Sequence, residues 1–237
     1  MNNRSVRILI ADYIPSLNKG EMTILNGMLE SFKFLGKPEV SALSLYPEID
    51  KIRYPPEIKI IDVAGDLYVR TLRRLITIQT AGKVSAILHL AIERLTTVFV
   101  MLQHVLFAIL YKILGVNATK IMNKQIWKEY CKSDIIITCH DQVSFVFDGW
   151  LFPFFPLYVT LFAKNIGKLV VIYAIGSSSL NTRIGEFLAR FVIKNTDLIT
   201  VRGKTTYKYL RHIGGDEASI YLTADPAFLM QPADSQK

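Results

Sequence analysis

Three short apolar runs in the last third of this chain each end in residues able to hold an anion. Lys168-Leu-Val-Val-Ile-Tyr-Ala-Ile closes on Gly176-Ser177, Asp197-Leu-Ile-Thr-Val closes on Arg202, and Leu222-Thr-Ala closes on Asp225-Pro226. Apolar runs without polar alternation suit strands buried on both faces of a parallel sheet. In an open α/β sheet the ligand crevice lies outside the carboxyl ends of the strands, so Gly176, Ser177, Arg202 and Asp225 are expected on one rim. There a guanidinium fits bidentate capture of phosphate or carboxylate. An ion pair with a neighbouring carboxylate is the structural alternative for Arg202. The Gly176-Ser177-Ser178-Ser179 turn offers backbone and hydroxyl donors to phosphate. Asp225-Pro226 serves either as a ligand contact or as a turn into a linker. Neither the Gly-rich phosphate loop ending in Gly-Lys nor a Gly-x-Gly-x-x-Gly occurs, which argues against ATP hydrolysis and NAD binding through those fingerprints.

Two other clusters have suitable chemistry. His140 and Asp141 follow the run 134–139 directly, which puts an imidazole and a carboxylate at the same rim for acid–base work. Asn18, Gly20 and Glu21 sit where a loop turns into a helix. Free N–H groups there could hold an anion, with Gly20 allowing close approach and Glu21 either capping the helix or accepting a proton. An Asn-x-Gly turn with a capping Glu explains the same residues. Cys131 and Cys139 have no metal-ligand spacing and read as small core hydrophobes, so no metal is expected.

The order Tyr-Ala-Ile-Gly-Ser, Asp-Leu-Ile-Thr-Val-Arg and Thr-Ala-Asp-Pro-Ala-Phe-Leu resembles the polysaccharide pyruvyl transferase family. Asn18-Lys-Gly20-Glu21-Met-Thr-Ile-Leu25 is similar to that family's Asn-x-Gly-Asp/Glu-x-x-Ile-Leu turn. The resemblance implies transfer of the pyruvyl group of phosphoenolpyruvate to two hydroxyls of a saccharide, forming a ketal. With phosphoenolpyruvate as substrate and no separate cofactor, the resemblance favours Arg202 as donor binder; the residues described above then offer Asn18, Gly20, Gly176 and Ser177 for the donor and His140, Asp141 and Glu21 for acid–base work, with a structural hydrogen bond the alternative for His140. It also implies a two-domain, glycosyltransferase-like (GT-B-like) architecture of two Rossmann-like halves. This chain corresponds to the first half, and a further family histidine is expected in the second, so the chain alone is expected to be inactive. A glycosyltransferase half-domain using a nucleotide sugar, and a non-catalytic membrane-tethered partner in polysaccharide synthesis, are the competing expectations.

The positioning elements follow from the pattern. Strands are expected at Val6 to Asp12, Glu39 to Leu45, Ile58 to Val63, 134–139, 168–174, 197–201 and 219–223, alternating with helices over about 21–35, 150–164, 182–195 and 204–213. Tyr46-Pro47 and Pro55-Pro56 read as breaks. Such alternation implies right-handed crossovers and a doubly wound, parallel Rossmann-like sheet, here one domain over 1–237 with a linker from about 230.

The 237 residues, 51% apolar, can supply that core. Residues from about 67 to 132 form a helical insert with few breakers, and they contain ten Lys and Arg against two Glu, the whole formal net charge of +8. Within it, 95–111 carries no formal charge. That stretch is a buried core helix, an interfacial helix on anionic lipid, or a marginal membrane span. The N-terminus lacks a signal peptide's apolar region, so the protein is expected in the cytoplasm, peripheral to the inner membrane face. The expected partners are a saccharide acceptor, lipid-linked or polymeric, an anionic membrane surface and a second half-domain, with no nucleic acid.

Overall fold

A computed structural model describes residues 5–14, 18–44, 46–62, 95, 99, 102–138, 154–176, 183–214 and 219–230. Seven strands form one sheet: β1 (Arg7–Tyr13), β2 (Glu39–Ser44), β3 (Lys59–Asp62), β4 (Ile135–Thr138), β5 (Leu169–Ile175), β6 (Leu198–Val201) and β7 (Ile220–Leu222). Their order is β3-β2-β1-β4-β5-β6-β7, and every neighbouring pair is parallel. This is the doubly wound, Rossmann-like sheet that the alternating pattern predicts, with its strand order reversing between β1 and β4.

Burial on both faces explains the unbroken apolar runs. Ile8, Leu9, Ile10 and Ala11 of β1 are all buried. Leu9 and Ala11 pack on one face with Trp127, Tyr130, Phe162 and Val170. Ile8 and Ile10 pack on the other with Leu25, Met28 and Phe32 of the helix α1 (Lys19–Phe32). Farther along, Ile172, Ile199 and Ile220 meet Ala189, Val192 and Ile193 of the Arg183–Lys194 helix and Leu210 of the Lys204–Gly214 helix. The amino ends of the strands are tied by aspartates. Asp134 Oδ2 accepts from Arg7 N at 2.9 Å, and Asp197 Oδ2 accepts from Val170 N at 2.7 Å while Lys164 Nζ donates to its Oδ1 at 2.7 Å.

One expectation is corrected. The Tyr46-Pro47 break is the start of a helix, α2 (Pro47–Arg53). Proline at its first position has no N–H to leave unsatisfied, and Glu48 and Asp50 in the first turn oppose Lys51 and Arg53 in the last, as the helix dipole favours. The insert is helical over most of its described part, with an irregularity at Gly115. A helix over Leu102–Ile121 includes a 3-10 turn at Gly115–Asn117, and a separate Gln125–Lys132 helix follows. Residues 63–94 lie outside the described residues.

Candidate active site at the carboxyl rim of the sheet

Arg202 begins where β6 ends, and its backbone N–H still reaches Ile175 O of β5 at 3.4 Å. Its side chain is held on two sides. Nη1 donates to Asp225 Oδ2 at 2.9 Å, with 21% and 27% of the two side chains exposed. Asp225 Oδ1 in turn accepts from Ala227 N at 2.9 Å, so one carboxylate orients the guanidinium and caps the 3-10 turn Pro226–Leu229. On its other side the guanidinium lies against Gly176. A Cβ there would come within 3.1 Å of both Nε and Nη2. Glycine at 176 permits this close approach, and a side chain there would make the guanidinium give way by a few tenths of an ångström.

The strand that delivers Gly176 is irregular. The register of β5 against β6 shifts between Ile172 and Ile175, and Ala174 has φ 52°. A left-handed alanine costs about 1–3 kcal/mol, and such strain persists only where the surroundings impose it. Here Ala174 is fully buried and its N–H donates to Thr200 Oγ1 of β6 at 2.7 Å. The bulge re-aims the end of β5 toward Arg202, the use that bulges near active sites commonly have.

A second centre lies at the point where the strand order reverses. Thr138, the last residue of β4, donates its hydroxyl to Asp12 Oδ1 of β1 at 3.3 Å. The register of β1 also shifts between Ile10 and Tyr13. Beneath this pair is the buried Tyr130, whose phenol is pushed to higher pKa first by burial and then by the Asp12 charge, so it stays protonated. Asp12 is not among the residues expected from sequence. It closes an apolar run just as Arg202 does, so the strand-end rule that points to Arg202 applies equally to it.

At the start of α1, Asn18, Lys19 and Gly20 are exposed. Asn18 Oδ1 accepts from Gly20 N at 3.0 Å and Asn18 O accepts from Met22 N at 3.0 Å. The Gly20 N–H expected to face an anion thus has an internal acceptor. Glu21 lies in the first turn of the helix by its backbone. Arg202, Gly176 and Asp225 lie together at the strand ends, and the Arg202–Asp225 ion pair is the structural alternative named for Arg202. Ser177, His140 and Asp141 lie outside the described residues.

Cysteine chemistry is disfavoured at Cys131. Burial pushes its thiol up to about 11, despite the opposing charge of Lys168, so it remains protonated near neutrality. Among the described residues no group of three or more His, Cys, Asp or Glu is placed to hold a metal ion.

A family model described as polysaccharide pyruvyl transferase matches residues 18–237. That span includes Arg202, Gly176, Asp225 and Thr138. No curated protein matches the chain.

Proposed function

The chain belongs to the polysaccharide pyruvyl transferase family, and on that premise we propose that it transfers the pyruvyl group of phosphoenolpyruvate to two hydroxyls of a saccharide. Family membership indicates a transferase with a saccharide acceptor; the donor and the ketal product are the finer reading. The observation that carries this reading is the Arg202 fork, held by Asp225 and laid against Gly176 at the carboxyl rim. A guanidinium held at the rim suits a donor that carries both phosphate and carboxylate, which would take up the N–H groups left over by the Asp225 bond or replace that bond.

In the proposed reaction one sugar hydroxyl adds to C2 of the donor as the methylene carbon takes a proton. The C2–O bond to phosphate then breaks, and the second hydroxyl closes the ketal. Of the two hydroxyl protons, one ends on the new methyl group and the other leaves with phosphate. Arg202 binds the donor anion and supports the leaving phosphate, with the Gly176-Ser177 turn as a further donor of hydrogen bonds. His140 and Asp141 are proposed for proton transfer, since they follow β4 directly. Asp12 stands beside β4, and the guanidinium lies over β5, two strand spacings or about 10 Å from β1. The proposal places the donor between them, with Asp12 on the acceptor side. A second half-domain facing this rim would complete the cleft and exclude water. Asn18 and Gly20 are proposed to line the donor side, where binding would exchange the internal Asn18–Gly20 bond for one to the ligand, and Glu21 is proposed to accept a proton from a sugar hydroxyl.

The test is phosphate release from phosphoenolpyruvate in the presence of saccharide acceptors, by the chain alone and with candidate second half-domains. Acceptor-dependent release that disappears in Arg202→Ala is expected. Turnover of a nucleotide sugar instead, with phosphoenolpyruvate inert, would replace this reading by glycosyl transfer.

A further inference from the structure

The helix Leu102–Ile121 is apolar on two opposite sides, and only one of them has a partner among the described residues. On the inner side Phe107 stacks on Trp127 with ring centroids 4.7 Å apart, and His104 meets Phe162 edge-on at 5.0 Å. Ala108 and Ala118 complete this contact with the core beneath the sheet. The outer side carries Leu102, Leu106, Ile109 and Ile113, and the same spacing continues back through Phe99 and Leu95, both helical. These six residues are between 48% and 72% exposed. Exposed Val105 and Val116 broaden the stripe, which covers roughly a third of the helix circumference at 3.6 residues per turn. Only 22% of this apolar stretch is buried inside the protein. Exposure of a continuous apolar face on this scale marks an interaction surface.

Charge decides between occupants. From 102 to 132 the charged residues are Lys112, Lys120, Lys124, Lys128 and Lys132, with Glu129 as the single acid. Glu129 is buried and already receives Lys59 Nζ, and Gln125 Nε2 at 3.0 Å. A second copy docked stripe to stripe would therefore bring lysines against lysines with no acid to answer them. An apolar strip flanked by cations instead matches the interface of an anionic bilayer, where the chains take the strip and the headgroups take the lysines. Spanning is disfavoured because His104 and Phe107 are locked into the core of the sheet domain on the opposite side.

We propose that the outer face of the Leu102–Ile121 helix, continued by Phe99 and Leu95, is a membrane-docking surface that lies in the headgroup region of anionic lipid. This surface is independent of the reaction assigned to the rim. The test is flotation of the full chain with vesicles of pure phosphatidylcholine or of phosphatidylcholine with phosphatidylglycerol, at low and high salt. Attachment to the anionic vesicles, weakening as salt rises, is expected. Lys112→Gln and Lys120→Gln should each weaken it about fivefold. Leu102→Gln with Ile109→Gln should abolish it at any salt, and because both side chains are exposed, thermal melting should stay near that of the unaltered chain. Absence of attachment, or attachment indifferent to salt and to all four changes, overturns the proposal. So does a dimer in solution that the Leu102→Gln, Ile109→Gln variant dissociates, which would assign the stripe to a second copy.

Discussion

Arg202 shows how a single side chain can be legible in sequence while its partners are not. Its position directly after Leu-Ile-Thr-Val is enough to put it at the sheet rim. Which carboxylate orients it depends on a contact 23 residues away, with Asp225. No local pattern announces that pairing, nor the close approach of the guanidinium to Gly176. Asp12 is legible by the same rule, since it too ends an apolar run, but only the neighbouring strand shows that Thr138 is its partner. The fork itself is testable. Arg202→Lys keeps the charge and loses the planar pair of donors, and a hydrogen bond to a charged group contributes about 1.5–3 kcal/mol, so affinity for phosphoenolpyruvate should fall roughly 10–150-fold. Titration calorimetry of the two proteins measures this, and equal affinities would remove Arg202 from the donor site.

At the scale of elements, strands are more legible than the irregularities within them. All seven strands fall within a residue or two of their expected bounds because consecutive burial leaves an unmistakable run of aliphatic residues. The β5 bulge leaves no such trace. Ala174 is an ordinary strand residue by type, and its left-handed backbone is imposed by its neighbours, notably the bond from its N–H to Thr200 Oγ1. Removing that acceptor strands a buried N–H, which costs about 1–3 kcal/mol. Thr200→Val keeps the shape of the side chain and should therefore lower the melting temperature by roughly 2–12 °C, as read by calorimetry or circular dichroism. An unchanged melting temperature would mean that the bulge does not depend on Thr200. Local ambiguity also hides α2. A proline signals an interruption inside an element, whereas at the first helical position, where Pro47 stands, it is compatible with everything that follows.

At the scale of the whole molecule, the turn after the last strand touches the first helix. The turn Pro226–Leu229 packs on α1 so closely that a Cβ on Gly27 would lie 1.8 Å from Pro226 O and 2.4 Å from its carbonyl carbon. Asp225, which orients Arg202, immediately precedes this contact. The helix that follows β1 therefore helps fix a carboxylate beyond β7, and the proposed donor centre is coupled to α1 through this clasp at Gly27. Gly27→Ala must push the Asp225-Pro226 backbone away, because neither carbonyl nor helix can yield as a flexible side chain would. Overpacking of this kind costs about 1–3 kcal/mol. A lower melting temperature is one expected outcome, but any core defect would produce it. The informative comparison is with Val192→Ala, which opens a cavity in the Arg183–Lys194 helix at a comparable cost of about 0.5–3 kcal/mol and leaves the clasp intact. Affinity for phosphoenolpyruvate should drop in Gly27→Ala and hold in Val192→Ala. If both variants bind the donor equally well, Asp225 keeps Arg202 in place without the clasp, and the coupling between α1 and the rim does not exist.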